Sequence, residues 1–540
     1  MYRGNIFSFF LLKTGKMYHP PHDKQHGLWY NQTEIKKEGG AFMDLIPEKP
    51  QITRNYFCTW DAQCDQMYTW KERPADRTAR DAMSEEFLFG ENGLLRSFQG
   101  IREDLIVVLD DGWDVPYGTT DSRVFGSLEA DPERFPSLRH LSPALRLQAL
   151  SDRIRALGYR GLGLWVPTQT PSLVNGREIR RTPEEERLYW EERAKWCRKG
   201  GVLYLKADWG AHQGDADYCA MMTDCMRKYA PHLSIEHGMP GRPLFESKET
   251  GHAVPADMEA YLERAIAVSD YFRTYDVCHE LKYASTVDRA AICLQAAQNA
   301  GDTHAVLNIE DTALIGAALG CAIGVMRHDF EKKRKYVTLP PRLVSETVAA
   351  LRWQRIAPPF AAGKGGLLVS QERLKDVWHC PQRSPGLWPD VPEGDYYVTA
   401  PASIARNLPL PTVHAAGEKP FVLCSVHPES GALCVAATPR TFPAGVDLAP
   451  LADICVEGGA AHAPIGLFGR FQSMSVVFDR PVEGCRVFAQ NLLCDTAADV
   501  TAQVVLSGCR LTVPRELMLR IGTPKDAENG IPAIVIRLVQ

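Results

Sequence analysis

The chain is 540 residues long, 45% hydrophobic and 24% charged, which allows two or three domains at about 100–200 residues each and excludes collagen-like, coiled-coil and wholly disordered proteins. With 61 Lys and Arg against 66 Asp and Glu the formal net charge is −5. No surplus of positive charge exists to release counterions from a polyphosphate, so nucleic acid is not an expected partner.

The 15 cysteines are scattered singly, without a Cys-x-x-Cys pair or a Cys/His cluster at metal-ligand spacing. They read as mostly buried thiols in a reducing compartment, and the chain is expected to be cytoplasmic, with no metal and no cofactor. Near the start, Ile6–Leu12 holds only about seven apolar residues, is followed by Lys13 and Lys16, and has no small-residue cleavage site. No run approaches the about 20 apolar residues of a membrane span, so no membrane association is expected. Residues 1–43 read as an N-terminal extension.

Between Arg54 and Phe360 short apolar runs alternate with stretches of helical period, the pattern of parallel strands joined by helices. Strands are predicted at Tyr56–Trp60, Leu105–Leu109, Gly161–Val166, Val202–Ala207, His232–Ile235, Tyr271–Thr274 and Ala305–Ile309, with a weaker eighth at Tyr336–Leu339. Helices are predicted at Glu85–Phe98, Pro143–Leu157, Pro183–Arg198, Ala216–Tyr229, Pro255–Val268, Thr286–Ala300, Thr312–Val325 and Pro341–Ile356. Because no Gly-rich phosphate loop follows the first strand, these units fit a (β/α)₈ TIM barrel over residues 44–360 better than a doubly wound sheet.

After Gly363 the helical period fades. Leu367–Val369, Tyr396–Ala400, Phe421–Ser425, Ala432–Ala437, Ser475–Phe478, Val487–Ala489, Val500–Leu506 and Ala533–Val539 read as strands of a C-terminal antiparallel β-sandwich over residues 361–540.

A barrel carries its chemistry at the C-terminal ends of its strands. There the sequence places Asp110-Asp111-Gly112-Trp113-Asp114, Trp165-Val166-Pro167, Lys206-Ala207-Asp208-Trp209 and Glu236. One acidic residue after a strand is usually a turn or a helix cap. Carboxylates after three of four consecutive strands, with Trp113, Trp165 and Trp209 beside them, point instead to a neutral polyhydroxylated ligand: carboxylates accept from hydroxyls, and an indole face covers the C–H face of a sugar. Two carboxyl groups, one ionised and one held protonated, are the minimum equipment for glycoside hydrolysis.

In order and spacing these motifs resemble the α-galactosidases of glycoside hydrolase clan D, families 27 and 36. Asp110-Asp111-Gly112-Trp113 is similar to the family's Asp-Asp-x-Trp after strand 2, Gly158–Trp165 to its strand 3 segment, and Lys206-Ala207-Asp208 to its Lys-x-Asp on strand 4. The resemblance implies a retaining α-galactosidase in which Asp208 is the nucleophile, Asp110 and Asp111 bind sugar hydroxyls, and Lys206 contacts them. Lying two residues before Asp208 and on the same side of the strand, Lys206 would also help keep that carboxylate ionised.

Asp276, in Arg273-Thr274-Tyr275-Asp276, resembles the family's acid/base segment with Arg273 as a sugar contact, but two residues separate this Arg and Asp where many family 27 members have three. Asp270, Glu280 and Asp288 are the alternatives, each reading as a cap or surface residue. Glu236 matches a residue that bonds the sugar 2-hydroxyl, and Met239 nearby would leave little room for an acetamido group. Trp60 and Asp61, after strand 1, are either contacts on the pocket floor or a core Trp with a turn Asp. Asp311 either lines the pocket or caps the following helix. His237, His279 and His304, near strand ends, read as hydrogen-bonded structural residues.

A β-L-arabinopyranosidase or an α-N-acetylgalactosaminidase on the same scaffold is the alternative of the same chemistry, the arabinopyranose sharing the galactose hydroxyl arrangement without its hydroxymethyl group. A carbohydrate-binding protein that has lost its acid/base is the alternative from another class. The expected partner is an oligosaccharide or glycoside substrate. Association into a homo-oligomer is compatible with a barrel carrying an appended sandwich.

Overall fold

The computed structural model describes residues 44–67, 76–174, 177–240, 257–274, 282–301, 303–326, 342–380, 394–442, 446–524 and 530–540. The extension 1–43, the strand expected at Tyr336–Leu339 and the predicted acid/base Asp276, with Glu280 and His279, lie outside them.

Eight strands form a closed parallel barrel: β1 (Tyr56–Cys58), β2 (Ile106–Leu109), β3 (Gly161–Pro167), β4 (Tyr204–Asp208), β5 (Ser234–Gly238), β6 (Tyr271–Arg273), β7 (Val306–Glu310) and β8 (Ala322–Val325). Each pairs with its neighbour in sequence, and β8 closes on β1 with Tyr56 opposite Gly324. Because side chains alternate along a strand, Val107, Leu109, Leu164, Leu205, Ile235, Phe272 and Leu307 point outward into the core shared with the surrounding helices. Tyr56, Cys58, Ile106, Val108 and Tyr204 cluster inside the barrel.

The helices between the strands are locally specified. Thr182 and Glu185 form a capping box ahead of Pro183–Gly200, which ends at Gly201 in the left-handed conformation, φ 64°.

The eighth strand is Ala322–Val325, inside the stretch that the sequence presents as the end of a Thr312–Val325 helix; the helix itself stops at Ala318. Gly320, with φ 61°, breaks the run, since Phe360 occupies the space where a side chain would begin. Likewise the helix expected over Glu85–Phe98 stops at Phe89, ahead of Gly90 and Gly93. The seam between β8 and β1 is fastened from below by Gln354: it accepts from Asn55 Nδ2 at 2.7 Å and donates to the Cys321 carbonyl at 2.7 Å, while Asn55 accepts from Ile323 N at 2.9 Å.

Residues beyond Leu367 form two main sheets, of eight and five strands, whose facing residues, such as Val422, Val435 and Ile536 against Ile454, Met474 and Val513, make a second core. Pairing is antiparallel except that Ser403–Arg406 runs parallel to Val422–Val426, Leu433–Ala437 to Ile465–Gly469, and Ala452–Gly459 to Ser473–Phe478. The strand expected at Val500–Leu506 is a 3₁₀ turn, Thr501–Gln503, and a short strand, Val505–Ser507.

Barrel and sandwich meet over buried contacts. Arg406, fully enclosed, donates to the carbonyls of Leu319 at 2.6 Å and Ala361 at 2.7 Å and lies 3.9 Å from the Phe360 ring centroid. Trp353 stacks so closely on strand Ile465–Gly469 that a Cβ at Gly466 would fall 2.7 Å from its ring.

Trp353→Ala is expected to cost about 3–5 kcal/mol, the range for emptying a buried aromatic site. The measurement is the shift of the guanidinium unfolding midpoint; a change under about 1 kcal/mol would show that this seam carries no stability.

Candidate active site

The inward-facing positions of β4, β5, β6 and β7, with Asp110 just after β2, fill the upper half of the barrel with charge. From β4, Tyr204, Lys206 and Asp208 point inward in succession. Lys206 Nζ lies 3.2 Å from Asp110 Oδ2 and 3.6 Å from Glu310 Oε1. From β6, Arg273 fans out to three carboxylates: Nη2 donates to Asp208 Oδ1 at 2.8 Å, Nη1 to Glu236 Oε1 at 3.5 Å, and Nε lies 3.9 Å from Glu310 Oε2. Glu236 also accepts from Tyr204 Oη at 2.7 Å and from Asn308 Nδ2, and Glu310 accepts from Tyr56 Oη at 2.8 Å. Two cations thus bind four carboxylates, of which Asp110, Glu236 and Glu310 are buried and Asp208 is partly exposed.

Gly324 on β8 makes room for this arrangement, because a Cβ there would come within 2.9 Å of both Glu310 and Tyr56.

Asp208 stands at the end of β4 with its side chain 12% exposed. Its second oxygen accepts from Trp165 Nε1 at 2.9 Å. Burial pushes its carboxyl upward, but Arg273, Lys206 and the Trp165 hydrogen bond outweigh burial and hold it below the ordinary carboxylate value. Glu236 behaves oppositely: burial lifts it above its usual range despite Arg273, Asn308 and Tyr204. Burial also works against the charge on Lys206, yet Asp110 and Glu310 keep it protonated.

Asp110 follows β2. Its amide donates to Thr59 Oγ1 at 2.9 Å, its Oδ1 accepts from Asp111 N at 2.8 Å, and its Oδ2 accepts from the Cys58 thiol at 2.8 Å as well as from Lys206. Asp111 accepts from Arg80 Nε at 2.8 Å; burial, against the pull of Arg80 and with the push of Asp110, raises its carboxyl to about 6. Trp165 and Trp209 both meet the ring of Phe125, at 6.0 and 5.6 Å between centroids, so an aromatic wall stands beside Asp208. Trp60 opens the helix Trp60–Met67 and packs on the inward cluster that contains Cys58 and Met326.

Asp110, Asp111, Trp165, Lys206, Asp208, Trp209, Glu236 and Arg273 therefore come together at one end of the barrel. Trp113 does not join them. It is fully buried in the core outside the barrel, with Nε1 donating to the Trp165 carbonyl at 3.1 Å. Met239 belongs to the same outer core, its sulfur 3.9 Å from Arg289 Nη1, so it is not a wall against an acetamido group.

Asp311, in the left-handed conformation, φ 60°, accepts from Met326 N at 3.0 Å and ties β7 to β8. Asp270 sits below β5, accepting from Ile235 N at 3.0 Å and from Arg227, and Asp288 pairs with Arg373 at 2.7 Å. Both are structural. His237 bonds Thr223 at 2.9 Å and burial lowers it to about 4, and His304 lies against Asp270 and Arg227. Among the described residues no group of His, Cys, Asp and Glu could hold a metal ion, and no helix is long and apolar enough to cross a membrane.

Sequence reasoning passes over Glu310, Cys58, Tyr56, Tyr204, Phe125 and Arg80. Strand parity is the signal that finds Glu310, two residues from Asn308, and Cys58, two from Tyr56. Arg80 and Phe125 come from loops and carry no such signal.

The chain is a parallel (β/α)₈ barrel with an acidic, cation-braced mouth and a C-terminal β-sandwich. No family model matches it and no curated protein does. Solved structures similar to it include a family 27 β-L-arabinopyranosidase from Geobacillus stearothermophilus (9% identity, 81% of this chain and 88% of that one covered, TM-score 0.37). An α-galactosidase from Saccharomyces cerevisiae with raffinose also matches (10% identity, 91% and 98% covered, TM-score 0.35), as does an α-amylase from Anoxybacillus (10% identity, 90% and 98% covered, TM-score 0.41). At these similarities no residue role passes from them to this chain, and the barrel is defined by its own strand order.

Trp165→Phe removes one donor from Asp208, and its carboxyl is expected to titrate at higher pH than in the wild type. The check is the ¹³Cγ shift of Asp208 in labelled protein against pH; an unchanged or lower midpoint would contradict a balance in which the Trp165 hydrogen bond helps to hold the carboxylate ionised. Since the folded value lies below the unfolded one, Asp208 contributes stability above the unfolded pKa that is lost as pH falls through the folded value, and the variant retains less of it.

Proposed function

We propose that this protein is a retaining glycosidase of the clan D type, acting on terminal α-D-galactosyl residues, with Asp208 as nucleophile. The observation that carries the reading is the setting of Asp208: a carboxylate at the C-terminal end of a barrel strand, oriented through both oxygens by Arg273 and Trp165, beside the aromatic wall of Phe125, Trp165 and Trp209. With the Trp209 amide also donating to it, the carboxylate has three of its about four acceptor sites filled and one left for attack.

In the first step Asp208 attacks the anomeric carbon, the bond to the aglycone oxygen breaks, and that oxygen takes a proton from the acid/base, which the sequence resemblance assigns to Asp276. In the second, the same group removes a proton from water, water attacks the anomeric carbon, and the Asp208 ester is released with net retention. The bonds from Arg273 and Trp165 stabilise the carboxylate at the start and end of the cycle and weaken as its charge is consumed. Asp110, Asp111 and Glu236 supply acceptors for ring hydroxyls, Lys206 and Arg273 supply donors, and Trp60 and Trp209 supply apolar surface. Residues 44–360 form the catalytic part in this reading, 361–540 support it, and the protein works in the cytoplasm.

Initial rates on nitrophenyl α-galactoside, α-N-acetylgalactosaminide, β-L-arabinopyranoside and α-glucoside test it. The wild type is expected to prefer the α-galactoside, and Asp208→Ala to lose on the order of 10³-fold or more in kcat, as removal of a nucleophile does. Activity surviving in Asp208→Ala overturns the assignment, and preference for the arabinopyranoside overturns the choice of sugar. No cleavage of any of the four by folded wild type overturns the reading.

A further inference from the structure

Arg80 is not on a barrel strand, yet the fold carries it into the barrel mouth. It lies in the 3₁₀ turn Ala79–Ala82, held on three sides. Gln63 Nε2 donates both to the Ala79 carbonyl, at 3.3 Å, and to the Asp111 carbonyl, at 2.8 Å. Arg134 Nη1 donates to the Arg80 carbonyl at 2.7 Å. Gly112, with φ 116°, lets the Asp110-Asp111-Gly112 turn come so close that a Cβ there would fall 2.7 Å from Arg80 Cα. Asp111 and Arg80 are thus fixed against each other by backbone packing as well as by charge.

A guanidinium has five N–H donors. In Arg80, Nε donates to Asp111 Oδ2 at 2.8 Å, and Nη1 donates to the carbonyls of Asp121 at 3.1 Å and Val124 at 3.0 Å. Nη2 is buried and has no hydrogen-bond partner among the described residues, and the same holds for Asp111 Oδ1. Leaving a buried donor of a charged group and a buried carboxylate oxygen both unpaired is costly, and here the two belong to one ion pair whose side chains are 4% and 6% exposed. Phe125, 6.0 Å from the guanidinium carbon, connects the pair to Trp165 and Trp209 and so to Asp208.

We infer that Arg80 is a specificity-determining residue: its Nη2 and Asp111 Oδ1 together seat one hydroxyl of a neutral sugar ring bound beside Asp208. A hydroxyl is the group that fits, because it accepts from the guanidinium and donates to the carboxylate at once. A carboxylate would repel Asp111, and an ammonium would repel Arg80. Methylated, deoxygenated or fluorinated positions satisfy at most one of the two partners. The assignment rests on the proposed glycosidase function, which puts a sugar at Asp208, and adds a residue from outside the strand-end motifs.

The test compares kcat/KM for nitrophenyl α-galactoside and its 2-, 3-, 4- and 6-deoxy derivatives in wild type, Arg80→Lys and Asp111→Asn. Lysine keeps a cation beside Asp111 but has no second nitrogen to donate, and asparagine keeps the shape while losing the charge. In the wild type one deoxy sugar is expected to fall by at least about a hundredfold, as where a site built for a hydroxyl is left unpaired. Both variants are expected to reduce that one ratio to about tenfold or less, leaving the other ratios within about threefold of wild type.

Equal loss on every sugar, or loss on different hydroxyls in the two variants, overturns the role of Arg80 while the glycosidase reading stands. If the wild type cleaves none of them, that reading fails, and calorimetric binding of galactose and its monodeoxy forms decides the role of Arg80. Discrimination at a single hydroxyl, erased in Arg80→Lys or, where that variant does not fold, in Asp111→Asn, supports it; uniform or absent binding overturns it.

Discussion

The arrangement of the barrel mouth depends on Arg273. Its guanidinium reaches three carboxylates from three different strands, Asp208, Glu236 and Glu310, in an interior where an unpaired charge costs several kcal/mol. With Lys206 it helps set the acids apart: Asp208 is held below its ordinary value, while burial lifts Glu236 above its own. Carboxylates crowded without these cations would share protons and lose that distinction. Strand parity makes the clustering unavoidable, because Lys206, Asp208, Glu236, Arg273, Asn308 and Glu310 all occupy inward positions.

The rest of the fold keeps those inward positions in register. The outer core packs each strand against its helices, Gln354 and Asn55 fasten the seam between β8 and β1, and the sandwich grips the barrel through Arg406 and Trp353. Glycines appear where backbone or large side chains crowd the interior: Gly324 yields space to Glu310 and Tyr56, and Gly112 to Arg80. In both cases a small residue is the precondition for burying a charged one.

Much of this is legible in the sequence. Apolar runs ending in acids locate β2, β4 and β5, and the Lys206–Asp208 spacing puts both on one face. β8 is hidden because Ala322-Ile323-Gly324-Val325 is as compatible with the end of a small-residue helix as with a strand, and only closure onto Tyr56 decides. Trp113 reads as a ligand contact because it follows two carboxylates, but after Gly112 the chain turns and carries its ring into the outer core. Arg80 and Phe125 leave no local trace, since their place depends on how long loops cross the barrel end.

Whether Asp208 forms a covalent bond to the sugar is tested by incubating the protein with 5-fluoro-α-galactosyl fluoride, whose good leaving group lets the first step proceed while the ring fluorine slows the second, and mapping the adduct by peptide mass spectrometry. One fluorogalactosyl group is expected on the peptide containing Asp208, released when the protein is diluted into acceptor sugar. A label on another carboxylate, or none while the same protein hydrolyses nitrophenyl α-galactoside, would contradict a nucleophilic Asp208.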